Sequence, residues 1–251
     1  MLRNTSLFCI VLFLFVPLTM AGAETDTTTT QLTAAQIVNK NVSARGGLEA
    51  WRAVRSLSMS GKMDAGKGVQ LPFVMEMKRP RKMRLEIQFQ GQAAVQVFDG
   101  ANGWKLRPFL GRRDVDPYTA EEMKAASQQQ DLDGPLVDYA AKGTKVELEG
   151  TEPVNGRDAY KLKLTLRGDQ VRHVWVDAQT FLDVKIDGTR RMDGKPRPMF
   201  TYFRDYKSVQ GLMIPYVLET SVEGVKDSHN MTIESVAVNA NLEDSRFTKP
   251  Q

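Results

Sequence analysis

The chain has 251 residues, 41% of them apolar and 25% charged, with a formal net charge of +4. The charge is mildly basic and mixed in sign, without a concentrated patch of basic and stacking aromatic residues, so no nucleic-acid partner is expected; weak attraction to anionic membrane surfaces suits it better. One cysteine and two histidines exclude a disulfide framework and leave no metal-ligand spacing, so neither a metal nor another cofactor is expected.

At the N-terminus, Arg3 precedes an uncharged apolar run from Leu7 to Met20, and Ala21-Gly22-Ala23 follows it. This is the form of a secretory signal peptide, with cleavage after Ala23. The run of about fourteen residues is short of the roughly twenty that cross a bilayer, and a retained anchor is the competing reading. The only cysteine, Cys9, lies inside the run, so it is lost with it and cannot serve as a lipidation site. Residues 24–32 form a Thr-rich leader expected to be disordered. Residues 33–251 are long enough to bury some 70% of their unfolded surface and are expected to form a single domain.

A helix is expected over Ala34 to Ser43, with Thr33 as N-cap and Ile37, Val38 and Val42 as its apolar stripe. Gly46-Gly47 stops it, and a second short helix is expected from Leu48 to Val54. From Ser56 the period becomes two. Leu57, Met59, Gly61 and Met63 alternate with polar residues, as do Leu71 to Met77 and Met83 to Phe89, which describes an antiparallel meander with one dry face. Val95 and Val97 continue it; Trp104 and Leu106 open the next strand. Pro117 to Gly143 loses the alternation, and two short helices are expected there, over Thr119 to Gln130 and Pro135 to Lys142. Strand texture returns at Val146 and runs to Val238, with a turn at Asn155-Gly156 and a long hairpin tip expected over Asp187 to Pro198. The expected fold is mainly β (α+β): about a dozen strands in a large curved antiparallel sheet forming an incomplete barrel, with a helical lid.

No catalytic constellation is visible. His173 sits in a strand and His229 follows a turn; there is no nucleophile elbow and no phosphate-cradling glycine loop. The chain is therefore not expected to be an enzyme. Its distinctive chemistry is apolar. Met59, Met63, Met75, Met77 and Met83 share the dry faces of the first three strands, and methionine suits surfaces that accommodate variable apolar partners. Phe73, Leu85, Phe89 and Trp104 would add walls to the same cavity. The competing reading makes all nine ordinary core residues beneath the helices.

Four segments together resemble one family: Ala44 to Trp51 (ARGGLEAW), Phe98 to Trp104 (FDGANGW), Phe203 to Pro215 (FRDYKSVQGLMIP) and Asn239 to Phe247 (NANLEDSRF). With the signal peptide and the Met-rich meander, they are similar to the outer-membrane lipoprotein-sorting (LolA-like) superfamily over nearly the whole mature chain. The resemblance implies a LolA/LolB-like half-barrel of about eleven strands with a hydrophobic interior, located in the periplasm. It implies a carrier of lipid or lipoprotein acyl chains, monomeric, with partner proteins at the inner and outer membranes. A periplasmic sensor or interaction module using the same fold is the alternative. Arg45 stands in the early helical region, where an arginine bonded to the lid would act as a latch; a solvated surface arginine is the competing reading.

Overall fold

The computed structural model describes residues 31–66, 68–108, 111–127, 132–192 and 194–251; the expected signal peptide and nearly all of the leader lie outside them. Helix α1 (Ala34–Ala44) begins at a capping box. Gln36 N donates to Thr33 Oγ1 at 3.3 Å, and Thr33 N donates to Gln36 Oε1 at 2.8 Å, satisfying two donors that the first turn leaves unpaired. Its buried face is Ile37, Val38 and Asn41. Gly46 ends the turn with φ of 113°, and a Cβ there would stand 2.4 Å from the Gly211 carbonyl oxygen, so only glycine fits. Helix α2 (Leu48–Ala53) buries Trp51.

Thirteen strands follow: β1 (Ser56–Asp64), β2 (Gln70–Lys78), β3 (Lys82–Phe89), β4 (Gln92–Phe98), β5 (Gly103–Arg107), β6 (Arg112–Pro117), β7 (Lys145–Val154), β8 (Arg157–Thr165), β9 (Val171–Asp177), β10 (Asp183–Met192), β11 (Lys195–Val209), β12 (Leu212–Val222) and β13 (His229–Val238). Helix α3 (Ala120–Ser127) lies between β6 and β7. All pair antiparallel in one open curved sheet of order β6-β5-β4-β3-β2-β1-β13-β12-β11-β10-β9-β8-β7. Two meanders are thus joined where the first and last strands pair, and β6 and β7, consecutive in the chain, are the two free edges. A flat sheet of this strand number would be roughly 58 Å wide. The connection between these edges, described over residues 118–127 and 132–144, crosses the inner face, where Leu136 and Val137 join its clusters.

The alternating pattern fills both faces. On the inner face, Ile37 and Val38 pack with Leu136, Leu162, Leu164, Val174 and Val176, while Trp51, Val54 and Leu57 pack with Val137, Leu212, Ile214 and Val238. On the outer face, Val95 and Val97 are covered by Leu242 and Phe247 from the C-terminal segment. Arg246 in that segment donates to the buried Glu76 carboxylate at 2.7 and 2.9 Å.

Two expectations are corrected, and one strand stands where none was expected. Pro135 to Lys142 is a series of turns rather than a helix: Gly134 and Asp138 take φ of 80° and 51°, and the path aims Leu136 and Val137 into different clusters. Asp187 to Pro198 is not a long loop, because β10 and β11 continue in register to Met192 and Lys195. Pro196 and Pro198 are tolerated there because β11 has no β12 partner before Met199 pairs with Val222. Strand β6, with the sequence RRDVDP, is an edge strand whose charges and proline hide its pairing from a hydrophobic pattern. Helix α3 is described to Ser127, and the expected end at Gln130 lies outside the described residues.

Candidate functional site

A cavity of about 600 Å³ runs along the inner face. That volume lies within the roughly 300–1,000 Å³ of small-molecule pockets. Its walls come from both meanders, as the curvature of the sheet requires. Met59, Phe73, Met75, Met77 and Met83 contribute from the first, and Met199, Phe203, Leu218, Met231 and Ile233 from the second. The register explains the grouping: Met77 pairs with Met83, and Phe73 lies opposite Gly61. Phe73 is fully buried, whereas the four methionines on this side are only half-buried because they border open volume.

The other expected residues stand elsewhere. Leu85 pairs with Met75 and so shares its face, and Phe89 follows two steps beyond Ile87 in the same row, but neither lines the cavity. Met63 pairs with Met231 and Leu71 near the β1–β2 hairpin, also outside the lining. Trp104 faces the opposite way. It pairs with Val97 and packs with the outer-face cluster under Phe247, because in β4 and β5 the inner positions belong to Gln96 and Lys105. The apolar period of those strands is thus inverted relative to β1–β3, which the alternation alone does not reveal. The second-meander residues carry the same alternation but not the dense methionine spacing that marks the first.

One end of the cavity is polar. Arg45 is 7% exposed, donates from Nη1 to the Asp133 carbonyl oxygen at 2.9 Å, and lies 3.6 Å from Asp183. Its guanidinium also stacks over Trp51, 4.5 Å from the ring centre. The solvated-surface reading of Arg45 is therefore excluded. Asn41 Nδ2 donates to Asp183 at 3.0 Å, and the Tyr206 hydroxyl donates to the Asp183 carbonyl oxygen at 2.9 Å. Burial pushes the Asp183 carboxyl up from its ordinary range, opposed by Arg45 and Asn41. Burial, and then the Asp183 charge, raise the Tyr206 phenol.

The crossing segment closes this end. Thr119 caps α3 by accepting from Glu122 N at 3.2 Å, and Glu122 takes the Lys105 ammonium. Burial would raise the Glu122 carboxyl, but Lys105 and Thr119 together hold it below its usual range. Asp133, 2% exposed, accepts from Arg79 at 2.8 Å and from Lys142 at 2.6 Å. Arg52 grips the Asp138 carboxylate with two bonds, at 2.7 and 2.9 Å. Cations from α2, the β2–β3 turn and the residue beyond α1 thus tie down one stretch of backbone. His173 lies away from this end, between Asp187 at 2.6 Å and Glu149 at 3.5 Å.

No family model matches the sequence, and no curated protein matches it. Solved structures do match. A LolA superfamily protein from Nitrosomonas europaea aligns with a TM-score of 0.54 at 16% identity, over 87% of this chain and 99% of its own. A putative outer membrane lipoprotein-sorting protein domain from Vibrio parahaemolyticus gives 0.56 at 14% identity, over 85% and 95%. A DUF1329 family protein from Desulfovibrio piger gives 0.57 at 13% identity, over 86% and 97%. At such identities the likeness establishes the fold alone. The fold shared with these structures is the open, curved antiparallel sheet of the LolA-like proteins.

Proposed function

We propose that this protein is an exported periplasmic carrier that holds lipid or lipoprotein acyl chains in the inner-face cavity and is not an enzyme. The observation that carries the reading is the set of half-buried methionines bordering open volume inside a curved sheet. A flexible, polarizable thioether adapts to a mobile chain where a branched side chain would impose one shape. Each methylene gains about 0.8 kcal/mol relative to water. It gains a comparable amount in a bilayer, so transfer runs close to balance, as collection and release both require. Removal of residues 1–23 and docking on partner proteins at the two membranes belong to the same reading. Arg45, bonded to the Asp133 carbonyl, is the contact that would part when the crossing segment moves aside.

Native mass spectrometry with lipid extraction, on protein purified from its own envelope, tests this. A stoichiometric acyl-bearing ligand is expected. A clean apo mass that stays unchanged after incubation with membrane extract would replace the carrier with a partner-binding module.

A further inference from the structure

Five buried side-chain atoms in the described residues lack a hydrogen-bond partner, and four of them are arginine Nε atoms. Three of those arginines are satisfied through their other nitrogens or charge. Arg84 pairs with Glu86 at 2.8 Å, Arg107 with Asp116 at 3.8 Å, and Arg197 donates to the Glu223 carbonyl oxygen at 3.3 Å. Arg172 differs: among the described residues it has neither a hydrogen-bond acceptor nor a carboxylate within 4.0 Å, and it lines the cavity. Desolvation lowers its guanidinium from the usual range, and the nearest opposing charge is Asp187. That carboxylate is already engaged. Its Oδ1 accepts from His173 N at 2.6 Å, and its Oδ2 lies 2.6 Å from the His173 ring nitrogen.

The register places Arg172 away from the Arg45 end. Val174, Ile186 and Thr201 form one row across β9, β10 and β11. Gly188 and Met199 form the next row toward the β10–β11 hairpin, and Arg172, two residues before Val174 on the same face of β9, lines the same cavity. Exposed Arg190 and Lys195 on the same hairpin add positive potential outside. At the other end Arg45 already faces Asp183. A half-buried guanidinium that makes no hydrogen bond or ion pair among the described residues, on the wall of an apolar cavity, is the complement of an amphiphile with an anionic head.

We infer that Arg172 binds the negatively charged head group of the cargo, a carboxylate or a phosphate, with the acyl chain extending along the methionine-lined wall toward Arg45. This rests on the carrier reading and narrows it: the preferred ligand is an anionic lipid rather than an acyl chain with a neutral head.

The test is isothermal titration calorimetry of the mature protein and its Arg172→Met and Arg172→Lys variants with palmitate, lysophosphatidylglycerol and neutral monopalmitin. Arg172→Met stays folded, because it breaks no hydrogen bond or ion pair among the described residues, and a thermal melt confirms it. Its affinity for one or both anionic ligands is expected to fall roughly ten- to a hundredfold, while monopalmitin stays within about twofold. Arg172→Lys recovers part of the loss. A loss confined to palmitate assigns the site to a carboxylate, and one confined to lysophosphatidylglycerol assigns it to a phosphate. Equal weakening of all three ligands, or none, overturns the anion site and leaves the carrier reading standing. If the wild-type protein binds none of the three, both fail.

Discussion

Leu136 and Val137 are neighbours in the chain, both are fully buried, and they belong to different core clusters. Leu136 packs with Ile37, Leu162 and Val174, and Val137 with Trp51, Leu57 and Ile214. The crossing segment is therefore pinned at two places on the sheet, on β8 and β9 and at the seam where β1 meets β13. Leu136→Ala is expected to cost about 3 kcal/mol, the usual toll for deleting a fully buried leucine side chain. Urea unfolding measures it; a loss below about 1 kcal/mol would mean that the segment is not packed as described.

Asp133 should hold the same segment electrostatically. Asp133→Ala strands Arg79 and Lys142 beside a buried site and is expected to cost about 2–3 kcal/mol, less than a fully buried pair because Arg79 is 33% exposed. Hydrogen exchange should quicken across residues 132–144 while β1 and β13 keep their protection. Uniform quickening throughout the sheet would show global unfolding instead.

Asp183 and Asp177 should give opposite pH slopes. The folded state raises the Asp183 carboxyl by burial, so it binds that proton more tightly than the unfolded chain does. The resulting stability is full below the unfolded value of about 3.9 and is lost as pH rises through the folded value. Denaturant midpoints at pH 4 and pH 7 should therefore show wild type losing stability relative to Asp183→Asn as pH rises. A flat difference would mean an unperturbed carboxyl.

Asp177 behaves the other way. Burial opposes its charge, but hydrogen bonds from Thr180 N at 2.7 Å, Thr180 Oγ1 at 2.8 Å and Gln179 N at 3.1 Å, with Arg157 nearby, hold its carboxyl below the ordinary range. Its contribution is present above about pH 3.9 and disappears as pH falls through the folded value. Asp177→Ala is expected to cost about 2 kcal/mol at pH 7 and to converge on wild type in strong acid. Equal costs at both pH values would assign the effect to packing.

Gly61 marks the seam where the meanders join. A Cβ there would stand 2.0 Å from the Thr232 carbonyl oxygen, at the register shift between β1 and β13. Gly61→Ala is expected to cost about 1–3 kcal/mol by forcing the seam apart. A variant as stable as wild type would show that the bulge relaxes freely.

Sequence alone determined what is local. Alternation in β1 to β3 declares a half-dry meander, Thr33 and Gln36 declare a helix start, and the lost alternation after Pro117 declares a segment outside the sheet. These follow from periods of two and 3.6 and from caps a few residues apart. Tertiary structure alone decided which face is inside. Trp104 has the same alternation as Met75 yet faces outward, because the face a strand presents depends on its register with neighbours far along the chain. It alone also brought Arg45 to Asp133 and Asp183, 88 and 138 residues away, and left Arg172 without a partner. A charge declares itself in sequence; whether it is paired depends on what the fold carries to it.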